Sequence, residues 1–496
     1  MSLQQKTLIG VRWNLISTII TTALGILILW SLSHLLDVNQ YGVISAALIV
    51  SNFSNMLLDF GISNSIVRSE KVNDNELSSL YVLNVAIGFA IFFVVFLSSP
   101  FLSSLFHAGK ELTTQIRIIS LGFIISSFGL QPRALMTRAM RFDLLSKITI
   151  ITTLTNFLVA VSLAYIYHSV WCVAVAFIIS NFINVLTTNY FSKVNGIKSY
   201  SLIFEYRYVK RHLSYGVQLV CDSLINQISI NTYPVLMSRL VSIAAIGGYN
   251  ISYSISIALF ERLNPVLAHA LFPAFSKISA DEQKISKNFL KVTCFSSFVN
   301  FPILLGMYIS CDYVVHLFFQ EKWGFIVPIV STLCIVGAIR SLDTPVISIL
   351  LVKGQMYRNV YLGIFKLLLG IPLSWYLGHE YGIIGIVYSF LVTQALNTFL
   401  SYFYLISPVI NVSFLQYSKA ILVPLLSVLP MIFIGLKLKE FFLNHLFVFY
   451  PVTSLISLVA VSIVVFLITL FILPLKEVKD FRMTILGFLL SKKGGE

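Results

Sequence analysis

The sequence predicts an all-α integral membrane protein with about fourteen transmembrane helices. Three observations lead to this prediction. Hydrophobic residues make up 57% of the 496 residues and charged residues only 11%, with a mean hydropathy of +0.89, whereas soluble domains carry roughly 25% charged residues. Apolar segments long enough to cross a bilayer recur from one end of the chain to the other. Lysine and arginine collect in alternate connections between these segments.

Each predicted span is an apolar segment of about 20 residues, the length that crosses about 30 Å of hydrocarbon. The first is longer than the apolar part of a signal peptide and no small-residue cleavage site follows it, so we expect it to remain as a transmembrane helix. The predicted spans are Trp13–Leu36, Gly42–Val67, Leu77–Leu97, Ile116–Leu135, Ile148–Tyr167, Val170–Tyr190, Tyr215–Met237, Ile246–Leu271, Phe289–Ile309, Ile326–Val352, Val360–Leu377, Ile383–Ile406, Ala420–Leu436 and Val452–Pro474.

The net charge of +14 is explained by membrane topology. If the N-terminus lies in the cytoplasm, most of the 34 lysines and arginines fall on the cytoplasmic side, as the positive-inside rule requires. This bias predicts a multi-pass membrane protein with an even number of spans and both termini in the cytoplasm, and it needs no nucleic-acid partner.

An internal repeat predicts two lobes. The string SHLLDVNQYG from Ser33 resembles SRLVSIAAIG from Ser238, and an even number of helices between the copies indicates a parallel repeat. We predict an N-lobe at 1–191, a basic linker at 192–214, a C-lobe at 215–410, and two further helices with a cytoplasmic tail at 411–496. Within the linker, Ser201–Arg211 is either an interfacial amphipathic segment or a plain basic loop.

Polar residues at membrane depth are candidates for a substrate or ion pathway, because they are costly in hydrocarbon. They lie at helical spacing on predicted helices 1, 2, 7 and 8, which correspond under the repeat. The alternative is hydrogen bonding between helices, each bond contributing about 0.6 kcal/mol. The candidates carried forward are Asn14, Asp59, Asp222, Asn226 and Glu261.

Two cations stand inside predicted helices. Arg340 lies within helix 10 and Lys366 within helix 11, and a central Arg or Lys costs roughly 2.5–3.5 kcal/mol on insertion scales. Asp343, three residues after Arg340, can reach it on one helical face and form a neutral structural pair. Lys366 has no acidic neighbour on its own helix, and its alternative role is to extend toward the interface. The functional interpretation is attraction of an anionic head group.

The sequence lacks the motifs of common enzymes and nucleotide-driven transporters: there is no Walker A loop, no H-E-x-x-H and no G-x-S-x-G. The five cysteines are scattered and predict neither a disulfide framework nor a metal site. We therefore expect no cofactor, and a driving force from a gradient of substrate or of a coupling ion, H⁺ or Na⁺.

Six strings, in the right order, resemble the bacterial polysaccharide exporters of the multidrug/oligosaccharidyl-lipid/polysaccharide superfamily, most of all the colanic-acid exporter group. The likeness covers nearly the whole chain, although the family usually has glycine at the position of Gln320. The strings are Leu8–Trp13, Asp59–Arg68, Gln131–Phe142, Gly247–Ser254, Leu271–Ile278 and Gln320–Trp323.

The resemblance implies about fourteen helices in two lobes plus a final pair, with alternating access to a central cavity. It also implies a flippase for undecaprenyl-pyrophosphate-linked repeat units of capsule, O-antigen or exopolysaccharide, and it makes Asp59 and Arg68 site candidates. We expect the pyrophosphate to contact Arg340, Lys366 and Arg262. The expected partners are this lipid-linked oligosaccharide, membrane lipid, and the polymerase and chain-length regulator of the same pathway.

Three rival functions stay open at this point. A small-molecule or drug antiporter of the same superfamily would bind its coupling ion at Asp59, Asp222 or Glu261. A membrane enzyme of polysaccharide assembly would need catalytic groups in an aqueous loop, which the short outer loops disfavour. A non-transporting scaffold of the assembly machinery is compatible with the sequence.

Overall fold

The structure is a computed structural model that describes residues 3–59, 61–68, 73–197, 204–207, 224, 227–257, 261, 275, 281–445 and 451–491. All regular elements in these ranges are helices. The chain divides into two compact units, Met1–Gly248 and Tyr249–Glu496. The predicted lobe and linker boundaries differ from this division and stay a prediction, and most of Ser201–Arg211 lies outside the described residues.

The first unit is a bundle in which α4 packs on α5, α1 on α6, and α7 on both α5 and α6. The ninth helix continues into the second unit. The helices are α1 Leu3–Leu35, α2 Val38–Asp59, α3 Ile62–Arg68, α4 Asp74–Leu105, α5 Gly109–Arg138, α6 Phe142–Tyr167, α7 Trp171–Val194, α8 at 227–240 and α9 at 243–257.

The second unit is organised around α10, which packs on α11, α14 and α15, while α11 also packs on α13. A short 3₁₀ turn, Glu321–Ile326, precedes α11, and a π-helical turn, Tyr402–Ile406, follows α13. The helices are α10 Glu282–Phe318, α11 Val327–Arg340, α12 Asp343–Val352, α13 Met356–Ser401, α14 Phe414–His445, α15 Pro451–Ile472 and α16 Lys476–Ser491.

The surface of these helices is apolar, as expected for a protein whose solvent is lipid. Large hydrophobic side chains stand exposed along the spans; Leu97 and Ile472, for example, are each 73% exposed. Within the described residues, eleven helices are long and apolar enough to cross a membrane. One of them, Met356–Ile406, is interrupted at Gly382, where φ is +61°. The interruption falls between predicted helices 11 and 12.

The fold class predicted from the sequence is confirmed. Predicted spans 7 and 8 lie partly outside the described residues, and the remaining predicted spans all correspond to apolar helices. The structure adds α16, a helix within the predicted cytoplasmic tail.

Two predicted spans are broken where glycine or proline changes the backbone. The second ends at Asp59 and resumes as α3 after Gly61, whose φ of +71° only glycine adopts without strain. The tenth divides into α11 and α12 at Ser341 and Leu342. Ser341 and Leu342 keep right-handed helical φ and ψ, so this second interruption is a local turn; Pro345, four residues after Ser341, has no N–H to donate to the Ser341 carbonyl.

The two glycines that end the repeated strings lie against each other. A Cβ added to Gly247 would stand 3.0 Å from the backbone nitrogen of Gly42, and a Cβ on Gly42 would stand 2.1 Å from the carbonyl oxygen of Ile243. Only glycine allows backbones to approach this closely. The positions matched by sequence are therefore the positions at which α2 and α9 meet.

Candidate functional site

Arg340 stands at the C-terminal end of α11 and forms an ion pair with Glu261 at 3.0 Å, between Nη2 and Oε1. The Arg340 side chain is 18% exposed. Its Nη1 donates to the hydroxyl of Tyr253 at 3.2 Å, and this hydroxyl lies 2.9 Å from both oxygens of the Glu261 carboxylate. The three side chains thus form a closed triangle in which the guanidinium donates to both partners. Charge-assisted bonds of this kind are strong where water is scarce.

The alternative pairing predicted from the sequence, Arg340 with Asp343, is not the one found. Arg340 and Asp343 are near enough for their charges to attract each other, but the two side chains do not form an ion pair within 4.0 Å. Arg340 instead pairs with Glu261, which is remote in sequence, and Asp343 opens the new helix α12.

Asp343 is connected to Lys366 through Gln394. The Lys366 ammonium donates to Gln394 Oε1 at 2.6 Å, and Gln394 Nε2 donates to Asp343 Oδ2 at 3.2 Å. Gln394 is fully buried, and Lys366 Nζ also lies 5.8 Å from the centroid of the Phe390 ring. The amide therefore presents its oxygen to the cation and its nitrogen to the carboxylate.

The break in Met356–Ser401 allows this bridge, because Lys366 and Gln394 lie on opposite sides of Gly382. A positive φ at Gly382 turns the chain so that the second half of α13 returns beside the first. A hydrogen bond between Ser374 and Ser389, at 2.5 Å, joins the same two halves.

The Arg340–Glu261–Tyr253 cluster and the Lys366–Gln394–Asp343 cluster, which together we call the network, hold two cations and two carboxylates with no net formal charge. Between the clusters, the charges of Arg340 and Asp343 attract each other. An ammonium has three donors, and among the described residues Gln394 is the hydrogen-bond acceptor found for Lys366. Lys366 can therefore donate to a ligand without first losing its present partner. Arg340 would have to exchange Glu261 or Tyr253 for the ligand. The arrangement is suited to binding an anion with several oxygens, such as a pyrophosphate.

The other predicted residues of the first unit have local roles or exposed positions. Asp59 ends α2 and accepts hydrogen bonds from the backbone N–H of Ser63, at 3.1 Å, and from its hydroxyl. Its carboxylate thus caps α3. Asn14 is exposed on α1, and Arg68 is the last residue of α3. All three residues belong to the first unit.

Three predicted residues, Asp222, Asn226 and Arg262, lie outside the described residues. Two members of the network, Tyr253 and Gln394, were missed by the sequence analysis. Tyr253 lies in one of the strings that carry the family resemblance, and Gln394 is an amide inside an apolar helix, so each had a weak signal. Many other serines, threonines and amides share that signal.

Within the described part of the chain, no group of three or more His, Cys, Asp or Glu side chains is arranged to hold a metal ion. Four cysteines, Cys172, Cys294, Cys311 and Cys334, are free and buried, and Cys221 lies outside the described residues.

Comparison with known proteins gives matches along most of the chain. A family model described as "Polysaccharide biosynthesis protein" matches residues 31–328. The chain is 33% identical over 440 residues to the lipopolysaccharide biosynthesis protein WzxC of Escherichia coli (strain K12), covering 88% of each chain. It is 31% identical over 485 residues to an uncharacterized membrane protein in the cps region of Klebsiella pneumoniae, covering 97% of this chain and 98% of that protein.

The fold matches a solved transporter structure. The lipid II flippase MurJ in an inward closed conformation superimposes with a TM-score of 0.73, covering 93% of this chain and 98% of the other at 16% sequence identity. At that identity the similarity shows a shared fold and no more.

Proposed function

Because the chain belongs to the polysaccharide biosynthesis protein family, we propose that it is a flippase for lipid-linked oligosaccharide, as the resemblance in its sequence strings suggested. The proposed substrate is an undecaprenyl-pyrophosphate-linked repeat unit of capsule, O-antigen or exopolysaccharide. The name of the Escherichia coli relative and the genetic region of the Klebsiella relative support this class of substrate.

The observation that carries the proposal is the pair of cations inside apolar helices, each held by partners that a ligand can replace. A pyrophosphate offers several anionic oxygens to Lys366 and Arg340, and hydrogen bonds between charged groups are roughly twice as strong as neutral ones. Arg340 would release Glu261 or Tyr253 on binding, whereas Lys366 can keep its bond to Gln394. Arg262 stays a predicted third contact.

In this proposal the protein transports and does not catalyse. The polyprenyl tail stays in lipid while alternating access carries the sugars from the cytoplasmic to the outer side of the inner membrane, with both termini in the cytoplasm. A gradient of H⁺, Na⁺ or substrate supplies the driving force. The polymerase and chain-length regulator of the same pathway would receive the product.

The test is deletion of the gene in its host, followed by extraction of lipid-linked intermediates and determination of the membrane face on which they lie. We expect complete repeat units to accumulate on the cytoplasmic face and surface polymer to be lost. Unpolymerised repeat units on the outer face, or a failure to form repeat units, would contradict transport and favour an enzyme or a scaffold.

A further inference from the structure

We propose that Arg358, at the start of α13, binds the phosphate of an anionic phospholipid. The proposal depends on the protein lying in a membrane and not on the substrate that it moves. It begins from an arginine whose hydrogen-bonding capacity is largely unused, surrounded by exposed aromatic rings.

The backbone explains one of the contacts of Arg358. In the π-helical turn the N–H of Ser407 donates to the carbonyl of Tyr402 at 2.8 Å. The residue that would donate to the carbonyl of Tyr404 in an α-helix is Pro408, which has no N–H. Arg358 Nη1 donates to that carbonyl at 3.1 Å. The arginine thus satisfies a carbonyl at the end of a helix, and it uses one of its five N–H groups to do so.

The rest of the guanidinium lacks an anion. Its Nε is buried without a hydrogen-bond partner, and no carboxylate among the described residues forms an ion pair with it. The Cζ atom lies 5.8 Å from the ring centroid of Tyr357 and 5.6 Å from that of Tyr404. Aromatic faces attract a cation but do not accept its N–H groups as an oxygen does. A phosphate would supply acceptors to the terminal Nη1 and Nη2 groups.

The position of Arg358 favours a lipid as the source of that phosphate. Tyr357, Tyr361, Phe365 and Leu368 follow one another at helical spacing and are 54%, 59%, 48% and 71% exposed. They form an apolar stripe that faces lipid along α13, and the stripe ends in tyrosines beside the arginine. Tyrosines are enriched at the level of lipid head groups, where anionic lipids attract Arg and Lys.

The experiment is titration of the purified full-length protein in mild detergent with phosphatidylglycerol or phosphatidylcholine, with binding followed by native mass spectrometry and thermal melting. We expect the wild-type protein to bind one phosphatidylglycerol more tightly than phosphatidylcholine and to melt at a higher temperature when it is bound. Arg358→Gln should weaken this binding about tenfold, equivalent to about 1.4 kcal/mol, because it removes a charge-assisted contact. It should also abolish the lipid-dependent rise in melting temperature.

The matched control is Arg141→Gln. This substitution removes the same charge from an arginine that already donates to both oxygens of Asp143, at 3.0 and 3.1 Å, so its effect on lipid binding should be less than about twofold. If Arg358→Gln melts before it can be purified, Arg358→Lys replaces it. This variant keeps the charge but loses the planar fork, and binding should weaken about threefold.

Equal phosphatidylglycerol binding by the Arg358 and Arg141 variants would overturn the proposal. So would binding of phosphatidylcholine as tight as that of phosphatidylglycerol, because the net charge of the lipid would then be irrelevant. A parallel titration with undecaprenyl pyrophosphate distinguishes a substrate site from a phospholipid site. The proposal is wrong if that lipid alone shows dependence on Arg358.

Discussion

The two units use their polar side chains differently. In the first, Met1–Gly248, helices are joined through amides and hydroxyls: Gln131 donates to the carbonyl of Leu77 at 2.7 Å, and Asn184 donates to Thr152 at 3.2 Å. In the second, Tyr249–Glu496, helices are joined through Glu261 and Arg340, and through Gln394 between Asp343 and Lys366. Neutral bonds between membrane helices stabilise a bundle modestly, whereas charges there usually mark function.

This difference bears on the predicted repeat. If the two halves arose from one ancestral unit, ion pairs between distant residues, such as Arg340–Glu261 and Lys439–Asp312, lie in the second. In the first, Arg141 pairs with Asp143 two residues away, and Arg117 donates to the neutral hydroxyl of Ser99. The functional distinction between the units would be contradicted if a substitution that removes a charge in the second unit left export intact. It would also be contradicted if a neutral substitution in the first unit abolished export although the protein still folded.

The largest effect is expected from Arg340→Ala. It leaves the Glu261 carboxylate without its cation. Removing one partner of a buried pair costs about 3–5 kcal/mol, and the 35% exposure of the Glu261 side chain places this pair at the lower end. We expect a lower melting temperature of the purified protein and loss of surface polymer. The double variant Glu261→Gln/Arg340→Gln removes both charges and should recover most of the stability without recovering export.

A control for Arg340 lies in the same unit. Lys439 and Asp312 form an ion pair with side chains 20% and 23% exposed, comparable in burial to the network. Lys439→Ala should lower the melting temperature while polymer export continues at matched expression. Normal export by the double glutamine variant would show instead that Arg340 is structural. The Arg340–Glu261 pair of the second unit would then not be required for export.

The next effect concerns the scaffold of the first unit. Gly42→Ala would place a methyl group 2.1 Å from the carbonyl oxygen of Ile243, and overpacking of this kind costs typically 1–3 kcal/mol. Because the obstructing atom is backbone, the upper end of that range is expected. Gly324→Ala is the control, since nothing lies within 4 Å of its Cβ position. Melting temperature and export should fall together in Gly42→Ala; unchanged melting would contradict the close approach of α2 and α9.

A pair of glutamines compares the units directly. Gln394 and Gln131 are both fully buried and hydrogen-bonded across helices. Gln394→Ala and Gln131→Ala should each cost about 1–3 kcal/mol by leaving polar groups unpaired. Only Gln394→Ala should reduce export per folded molecule, because it releases Lys366 from Asp343. Equal loss of export in both variants would remove the functional distinction between the units.

The sequence predicted the spans because apolar length is a local property of the chain. It also singled out Arg340, Lys366, Asp343 and Glu261, since charge within an apolar segment is equally visible. Their partners were not predictable in this way: Arg340 and Tyr253 are 87 positions apart, and Lys366 and Gln394 are 28 apart. Only the folded packing of helices brings such residues together.

Local backbone chemistry also limited the prediction. Asp343 was the nearest acidic residue to Arg340 in sequence, and an unbroken helix would have placed it within reach. A local turn at Ser341 and Leu342 separates α11 from α12, and the carboxylate that forms the ion pair with Arg340 is that of Glu261.

The smallest effect is expected from Asp59, a site candidate from the family resemblance that the structure places at a helix start. Its carboxylate accepts from the N–H and the hydroxyl of Ser63, and loss of such a cap costs roughly 0.5–2 kcal/mol. Asp59→Ala should therefore lower the melting temperature slightly and leave export per folded molecule unchanged. Asp59→Asn keeps an oxygen acceptor without the charge, and it should melt close to the wild type. If Asp59→Asn abolished export while melting normally, the charge itself would be required, and the first unit would contribute chemistry as well as scaffold.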